Sequence, residues 1–267
     1  MRRGFLSLAV MAFLMPAWAL ATAPTEPVEL EAYLFRSDDA KEGRERVEPL
    51  LKTDLKKAGL DYGAPIFVRI FKDSRQLELW VQQDLGFKKF RTYDMCKMSG
   101  DIGPKLERGD DQAPEGFYSV NADWMWPHSR YHLAFNIRYP NEFDEAWERD
   151  GSAIMVHGGC SSSGCFAMTD AKIEEIYTLA AAALINGQPE FAVHVFPFRM
   201  TDANMKRHKD ARWSNFWANL KEGYDLFEKN RMPPQVSVAD MRYQFEDSTQ
   251  IAQVCDTATY VCKDASN

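Results

Sequence analysis

Residues 153–170, AIMVHGGCSSSGCFAMTD, constrain this chain more than any other stretch. A short apolar run, Ala153-Ile154-Met155-Val156, reads as a buried strand that delivers His157 at its end. A glycine-serine loop carrying Cys160 and Cys165 follows, and the pattern then turns helical. Thr169 or Asp170 caps that helix, Glu174 and Glu175 sit in its first turn, and Gly187 ends it. Ile173, Ile176, Tyr177 and Leu184 form its buried stripe. Strand end, tight loop and helix start are so close that the His157 and Cys165 side chains can approach each other.

The flanking sequence is mostly strand-like. Val47, Leu50, Leu51 and Leu55 recur at helical spacing before Gly59, predicting an amphipathic helix. From Ile66 the pattern alternates: Ile66-Val68-Ile70 and Leu77-Leu79-Val81 predict two strands about a polar turn at residues 72–75. Lys89 to Met95, Gly116 to Val120, Tyr131 to Phe135 and Phe191 to Phe196 predict further strands, and residues 99–115 a glycine- and charge-rich loop. Trp213, Phe216, Trp217, Leu220, Tyr224 and Phe227 recur every three or four residues, predicting an aromatic-faced helix packed on the sheet. No period of the kind that builds solenoids or propellers is present. The expectation is a β-rich α+β domain with helical additions at both ends.

The first residues bear on the compartment. Met1-Arg2-Arg3 is a basic head, Gly4 to Trp18 is mostly apolar, and Ala19-Leu20-Ala21 has the small-x-small form of a cleavage site. Residues 1–21 therefore read as a secretory signal peptide that exports the chain. No later stretch is apolar for the roughly 20 residues a spanning helix needs, so no transmembrane span is expected in the mature chain. The formal charge of −7 becomes more negative once Arg2 and Arg3 leave. Without a basic run to neutralise phosphates, nucleic acid is not an expected partner.

Export also changes how the five cysteines are read, because an oxidising compartment lets pairs form and an odd count leaves one thiol over. Cys255 and Cys262 lie close together in a small-residue, polar tail and are expected to pair. Cys96, Cys160 and Cys165 remain, enough for one more pair and one free thiol.

A cysteine reacts as thiolate and needs a partner that lowers its pKa or takes its proton; a histidine and a helix N-terminus both serve. Cys165 is placed to have both. Gly158, Gly159 and Gly164 allow backbone shapes that side chains resist, and N–H groups about Gly164 and Cys165 can form an oxyanion hole in a loop that Ser163 helps shape. Zinc is the competing reading of His157, Cys160 and Cys165, but a fourth ligand is not evident and the spacing matches no common zinc pattern. A structural Cys160–Cys165 disulfide is sterically possible yet leaves His157 and the glycines without a role.

The order Ile-x-Val-His-Gly, a loop, then Ser-x-Gly-Cys and an apolar residue resembles the active-site signature of the L,D-transpeptidase catalytic domain (YkuD-like) family. The stretches CKMSGDIGPKLERGDDQAPEGFYSV (96–120), YHLAFNIRYPNEFD (131–144), MVHGGCSSSGCFAMTD (155–170) and FAVHVFPFRMTDANM (191–205) resemble its YafK-type murein branch. The likeness spans roughly residues 65–240. It implies a β-sandwich-like catalytic domain with Cys165 as nucleophile and His157 as general base. It also implies peptidoglycan stem peptides carrying meso-diaminopimelate as substrate, a thioester intermediate, and neither metal nor organic cofactor. Two departures stand out: Ser163 and Ala167 occupy positions where most members carry histidine and many carry arginine. The loop between His157 and Cys165 is also short.

The resemblance further suggests Tyr131, His132 and Arg199 as substrate-binding residues, with a structural role as the alternative for each. It places Cys96 and Cys160 near the cleft, implying a disulfide between them that keeps Cys165 free; a reversible Cys160–Cys165 bond is the competing arrangement. The resulting layout is a signal peptide over 1–21 and a helical extension over 22–64, then a catalytic domain over 65–200 and a C-terminal helical extension and tail over 201–267. Amine or water can resolve the thioester, and the YafK-type likeness favours hydrolysis that detaches a murein-linked lipoprotein or outer-membrane protein. A non-catalytic murein-binding protein and a redox protein using Cys160 and Cys165 are the alternatives. Retention of both His157 and Cys165 counts against the first, and the spacing of the two cysteines against the second.

Overall fold

A computed structural model describes residues 22–248 and the backbone of residues 255–256 and 261–262. The expected signal peptide lies outside the described residues. Two helices lead, α1 (Pro27–Leu34) and α2 (Asp38–Ala58), followed by strands β1 (Ile66–Phe71), β2 (Gln76–Gln83) and β3 (Gly86–Asp94). The short β4 (Lys97–Met98) precedes the long loop, after which come β5 (Gly116–Asn121), β6 (Met125–Ser129), β7 (His132–Asn136) and α3 (Glu142–Ala146). Strands β8 (Met155–His157) and β9 (Phe166–Ala167) flank the glycine-serine turn, and α4 (Asp170–Ile185) and β10 (Glu190–Phe196) follow. Helices α5 (Asp202–Arg207) and α6 (Ser214–Asn230) and the hairpin β11 (Gln235–Ala239) and β12 (Arg242–Glu246) come last before the tail.

The strands form two five-stranded sheets, ordered β3-β2-β1-β10-β5 and β4-β9-β8-β7-β6. In the first, only the β1–β10 pair is parallel. Because side chains alternate along a strand, β1 serves two layers at once. Val68 and Ile70, with Leu77, Leu79, Val193 and Val195, join α4 and the second sheet in the main core. Phe67 and Phe71 face the other way, toward α6. A strand buried on both faces needs a nearly continuous apolar run, which IFVRIF supplies.

The helices form where caps and stripes coincide. Ser37 accepts the Ala40 N–H at the start of α2, and Gly59 takes the left-handed conformation that ends it. Val47, Leu51 and Leu55 are buried in the main core on the side of α4, but Leu50, counted in the same expected stripe, is 67% exposed. One residue beside Leu51 it is turned about 100° away from the buried line. Helix α6 buries Trp217, Leu220, Tyr224 and Phe227 under the first sheet, as the aromatic spacing predicts. In the tail, residues 255–256 pair with 261–262 and set Cys255 opposite Cys262 along the backbone. Their side chains, and the disulfide expected there, lie outside the described residues.

Candidate active site

Strands β8 and β9 run parallel, with Val156 beside Phe166 and His157 beside Ala167. Val156 and Phe166 point into the core, so His157 and Ala167 occupy the opposite face. Cys165 lies just before β9, and its thiol meets the backbone at the start of β8, the strand that His157 ends. The Met155 N–H, one step back along β8, lies 3.4 Å from the Cys165 Sγ, which in turn lies 3.6 Å from the Ala153 carbonyl. The thiol thus lies against the beginning of the short strand whose last residue is His157.

The His157 ring is fixed on two sides. Its Nδ1 lies 2.6 Å from the Gly158 carbonyl, a contact that requires the proton on Nδ1 and leaves Nε2 with its lone pair. The Tyr131 ring stacks on it at 4.7 Å. Gly158 has no room for a side chain: a Cβ there would sit 2.7 Å from both the Tyr131 carbonyl and an Asp170 carboxylate oxygen. Gly164 adopts φ +107°, which L side chains rarely take, and packs against the Gln112 carbonyl. Three hydroxyl contacts close the turn. Ser99 accepts the Gly164 N–H, Ser99 and Ser162 hydroxyls meet at 3.3 Å, and Ser162 donates to the Cys165 carbonyl at 2.6 Å.

Burial sets the protonation of the pair. It pushes the Cys165 thiol up from its ordinary value, against the smaller opposing effects of the Met155 N–H and the Lys105 ammonium. Burial also lowers His157, with the Gly158 hydrogen bond acting the other way. The resting pair is therefore a neutral thiol and a neutral imidazole. His157 therefore offers an open nitrogen able to take a proton, and the Cys165 thiol would have to give one up before it could act as a nucleophile. The helix N-terminus contributes less than the sequence suggests, because β9 intervenes and α4 begins only at Asp170. Thr169 makes no side-chain cap there, and Asp170 instead accepts the Gly159 N–H at 2.7 Å.

The other expected site residues divide. Cys160 is disulfide-bonded to Cys96, which ties the turn to the start of β4 and leaves Cys165 free, so the alternative Cys160–Cys165 bond is not formed. Tyr131 is at the site, through its stacking on His157. His132 is not: its Nε2 lies 2.8 Å from Glu174 on α4 and its Nδ1 3.6 Å from Asp39 on α2. The same Glu174 binds Arg46 at 2.6 Å, so His132 belongs to a clamp between helices. Arg199 is also committed elsewhere, to Glu78 at 2.8 Å with its guanidinium over the Phe71 ring, on the α6 side of the first sheet. Ser163 is exposed beside the nucleophile. Gly164 contributes its turn, but its N–H is occupied by Ser99 and is not available to an oxyanion in this arrangement.

Several residues at the site carried no sequence signal. Ser99, Lys105 and Ala153 sit in stretches read as loop or strand, and their roles depend on contacts across the fold. Lys72 opens the expected polar turn after β1 yet is fully buried, because its side chain runs beneath the 99–115 loop. Its ammonium donates to the Gly103 carbonyl at 2.5 Å and the Ala113 carbonyl at 2.7 Å, and pairs with buried Glu115 at 3.2 Å. Glu115 also accepts from Gly103 N and from the Trp217 indole at 2.8 Å. The loop that supplies Ser99 and Lys105 is thereby nailed to the sheet and to α6.

Beside the thiol, Ser152 and Ala153 form one wall of a groove of about 990 Å³ that extends along β5 to the β11–β12 hairpin. Among the described residues no three histidine, cysteine, aspartate or glutamate side chains gather into a metal-binding group. None of the described helices is long and apolar enough to cross a membrane.

The fold is a two-sheet α+β domain with a free cysteine against the strand that ends in a histidine. Residues 67–193 match the family described as the L,D-transpeptidase catalytic domain, YkuD. Over 181 residues the chain is 48% identical to YafK of Escherichia coli strain K12, a protein that carries the L,D-transpeptidase name; the match covers 68% of this chain and 74% of that one. YafK of Escherichia coli O157:H7 matches equally. Among solved structures, the cell shape determining protein Pgp2 of Campylobacter jejuni, as a K307A mutant, aligns at 20% identity and a TM-score of 0.42. That alignment covers 62% of this chain and 57% of the solved chain. This chain belongs to the L,D-transpeptidase (YkuD) family.

Proposed function

We propose that this chain is a periplasmic enzyme that transfers acyl groups from meso-diaminopimelate-containing peptidoglycan stem peptides through a thioester on Cys165. Water is the favoured acceptor, so that the enzyme detaches a lipoprotein or outer-membrane protein linked to murein through diaminopimelate. The observation that carries the chemistry is a free thiol, Cys165, against the start of the strand that ends in His157, whose Nδ1 is fixed by Gly158 and whose Nε2 has no partner among the described residues. The likeness to the YafK-type branch favours detachment over cross-linking. Residues 1–21 have the form of a signal that would carry the chain to this substrate.

In the first half-reaction the Cys165 proton passes to His157 Nε2 as Sγ attacks the amide carbonyl carbon. The N–H of Cys165 itself is the candidate donor to the resulting oxyanion, since those of Gly159 and Gly164 are taken by Asp170 and Ser99. The C–N bond then breaks, the leaving amine takes the proton from His157, and the acyl group remains as a thioester. In the second half, water gives a proton to His157 and attacks the thioester, releasing the stem peptide carboxylate and returning the proton to sulfur. An amine in place of water would yield a cross-link by the same steps. Burial serves this cycle, because a neutral imidazole is the form that can accept the first proton.

The test incubates the mature protein with peptidoglycan bearing a covalently attached lipoprotein, beside Cys165→Ala, followed by mass spectrometry of the soluble products. Lipoprotein released by the wild type alone supports detachment. Cross-linked or exchanged stem peptides would make the enzyme a transpeptidase in action. Absence of any product and of any adduct on Cys165 would leave a murein-binding protein instead.

A further inference from the structure

The groove beside Cys165 has three properties that no part of the catalytic cycle requires. The first is an unpaired sheet edge. Strand β5 ends its sheet and pairs only with β10. On the free side the Phe117 carbonyl accepts from the Asn141 side-chain amide at 2.8 Å. Two residues on, the Ser119 backbone N–H and C=O point the same way, into the groove, by the alternation of an antiparallel ladder.

The second property is charge. Glu142, Glu145 and Glu190 line the groove, with Arg138 as the one cation of its lining. Arg138 sits 3.8 Å from Glu190, whereas Glu142 and Glu145 are exposed and have no ion-pair partner among the described residues. The third is continuity with the chemistry. Ala153, whose carbonyl lies 3.6 Å from the Cys165 Sγ, is part of the groove wall. The opposite wall is the β11–β12 hairpin, beyond the stretch matched by the family. At about 990 Å³ the groove is at the upper end of what a small molecule fills.

From these observations we infer that the groove seats an extended, cationic polypeptide segment, which adds to the free edge of β5 with its basic side chains against Glu142 and Glu145. Main-chain hydrogen bonds to Ser119 give the affinity and the carboxylates give the charge preference, the usual division of labour in strand addition. The inference rests on the reading of Cys165 as the acyl-transfer nucleophile, and gives that reading a partner: the protein arm of the scissile amide, held on the side of Ala153.

The test measures binding in the full-length mature Cys165→Ala protein, so that turnover plays no part. The probes are a fluorescein-labelled nonapeptide of alternating Lys and Thr and its Glu/Thr counterpart, followed by anisotropy at low and high salt. The Lys peptide is expected to bind about tenfold or more tightly than the Glu peptide and to weaken with salt. Glu142→Lys/Glu145→Lys should reverse the preference, and Ser119→Pro, which removes an edge N–H, should weaken the Lys peptide. Should Ser119→Pro fail to fold, the charge-reversal variant decides alone. Equal binding of both peptides, or unchanged binding by the charge-reversal variant, overturns the inference. So does Lys-peptide binding that emerges only after residues 249–267 are removed, because the tail would then be the occupant. Loss of turnover in Cys165→Ala with peptide binding intact keeps both readings, whereas turnover in that variant would overturn the chemistry and leave the groove standing.

Discussion

Two buried polar regions lie on either side of the 99–115 loop, and they use the same kinds of groups to opposite ends. At the Lys72 knot, the ammonium has three oxygen partners, one for each of its protons, and both Glu115 carboxylate oxygens are engaged by donors. At the His157–Cys165 corner, Nδ1 is spent on Gly158 while Nε2 has no partner among the described residues, and the thiol has only long backbone contacts. Saturation makes the first region a fastener. The unspent nitrogen and sulfur make the second a place where protons and acyl groups can move. A buried titratable group is thus informative mainly through what it has left over.

The comparison breaks most directly at the thiol. Cys165→Ala should abolish turnover while leaving the thermal midpoint near that of the wild type, read by product release and by calorimetry. His157→Ala should cost about 10²–10⁴ in turnover, the usual worth of a general base, with folding intact. If the two variants instead unfolded the protein, the corner would be another fastener.

Lys72→Met should show the reverse pattern. Removing one member of a buried pair strands Glu115, so urea titration should find a loss of about 3–5 kcal/mol. Activity of the molecules that remain folded should fall much less than in the His157 variant. The double variant Cys96→Ser/Cys160→Ser should be milder, about 2–4 kcal/mol for opening the loop the disulfide closes. It also frees the turn that carries Gly164, so alkylation of Cys165 should become faster.

The smallest expected effects are in pH dependence. His157 is lowered by burial and His194, enclosed by Phe67 and Phe117 at 4.6 Å each, is held well below its ordinary value. Above the ordinary histidine value both are neutral in either state and stability does not change. As pH falls through about 6.5 the unfolded chain takes up protons that the folded chain refuses, so stability should decline, by at most about 1.4 kcal/mol per group for each further pH unit. His194→Phe should flatten that decline, as read from urea midpoints across acid pH. Cys165 titrates in the other direction: its reaction with iodoacetamide should keep rising above the ordinary thiol range, without the neutral plateau of a preformed ion pair.

The two regions also differ in how far the sequence shows them. His157, Cys165 and the glycines between them are read from one short stretch, because strand, turn and helix follow one another locally in the chain. The strand and helix patterns around them were legible for the same reason, down to the aromatic face of α6. The Lys72 knot was not, since its partners come from positions 103, 113, 115 and 217 and the lysine looks like any polar turn residue. His132 and Arg199 misled in the same way. Each is a polar residue in a stretch that resembles the cleft-lining family blocks, yet each finds an acid, Glu174 or Glu78, that only the packing of distant helices and strands brings near. Exposed Leu50 shows the limit of periodicity, where one residue of phase decides burial.

The most direct test of the central claim, that Cys165 carries the acyl group and His157 moves its proton, is intact-protein mass spectrometry after rapid quenching with diaminopimelate-containing muropeptides. The account predicts a stem-peptide adduct mapping to Cys165 in the wild type, much slower to form in His157→Ala and absent in Cys165→Ala. Product formed at the wild-type rate by Cys165→Ala, or an adduct on another residue, would contradict it.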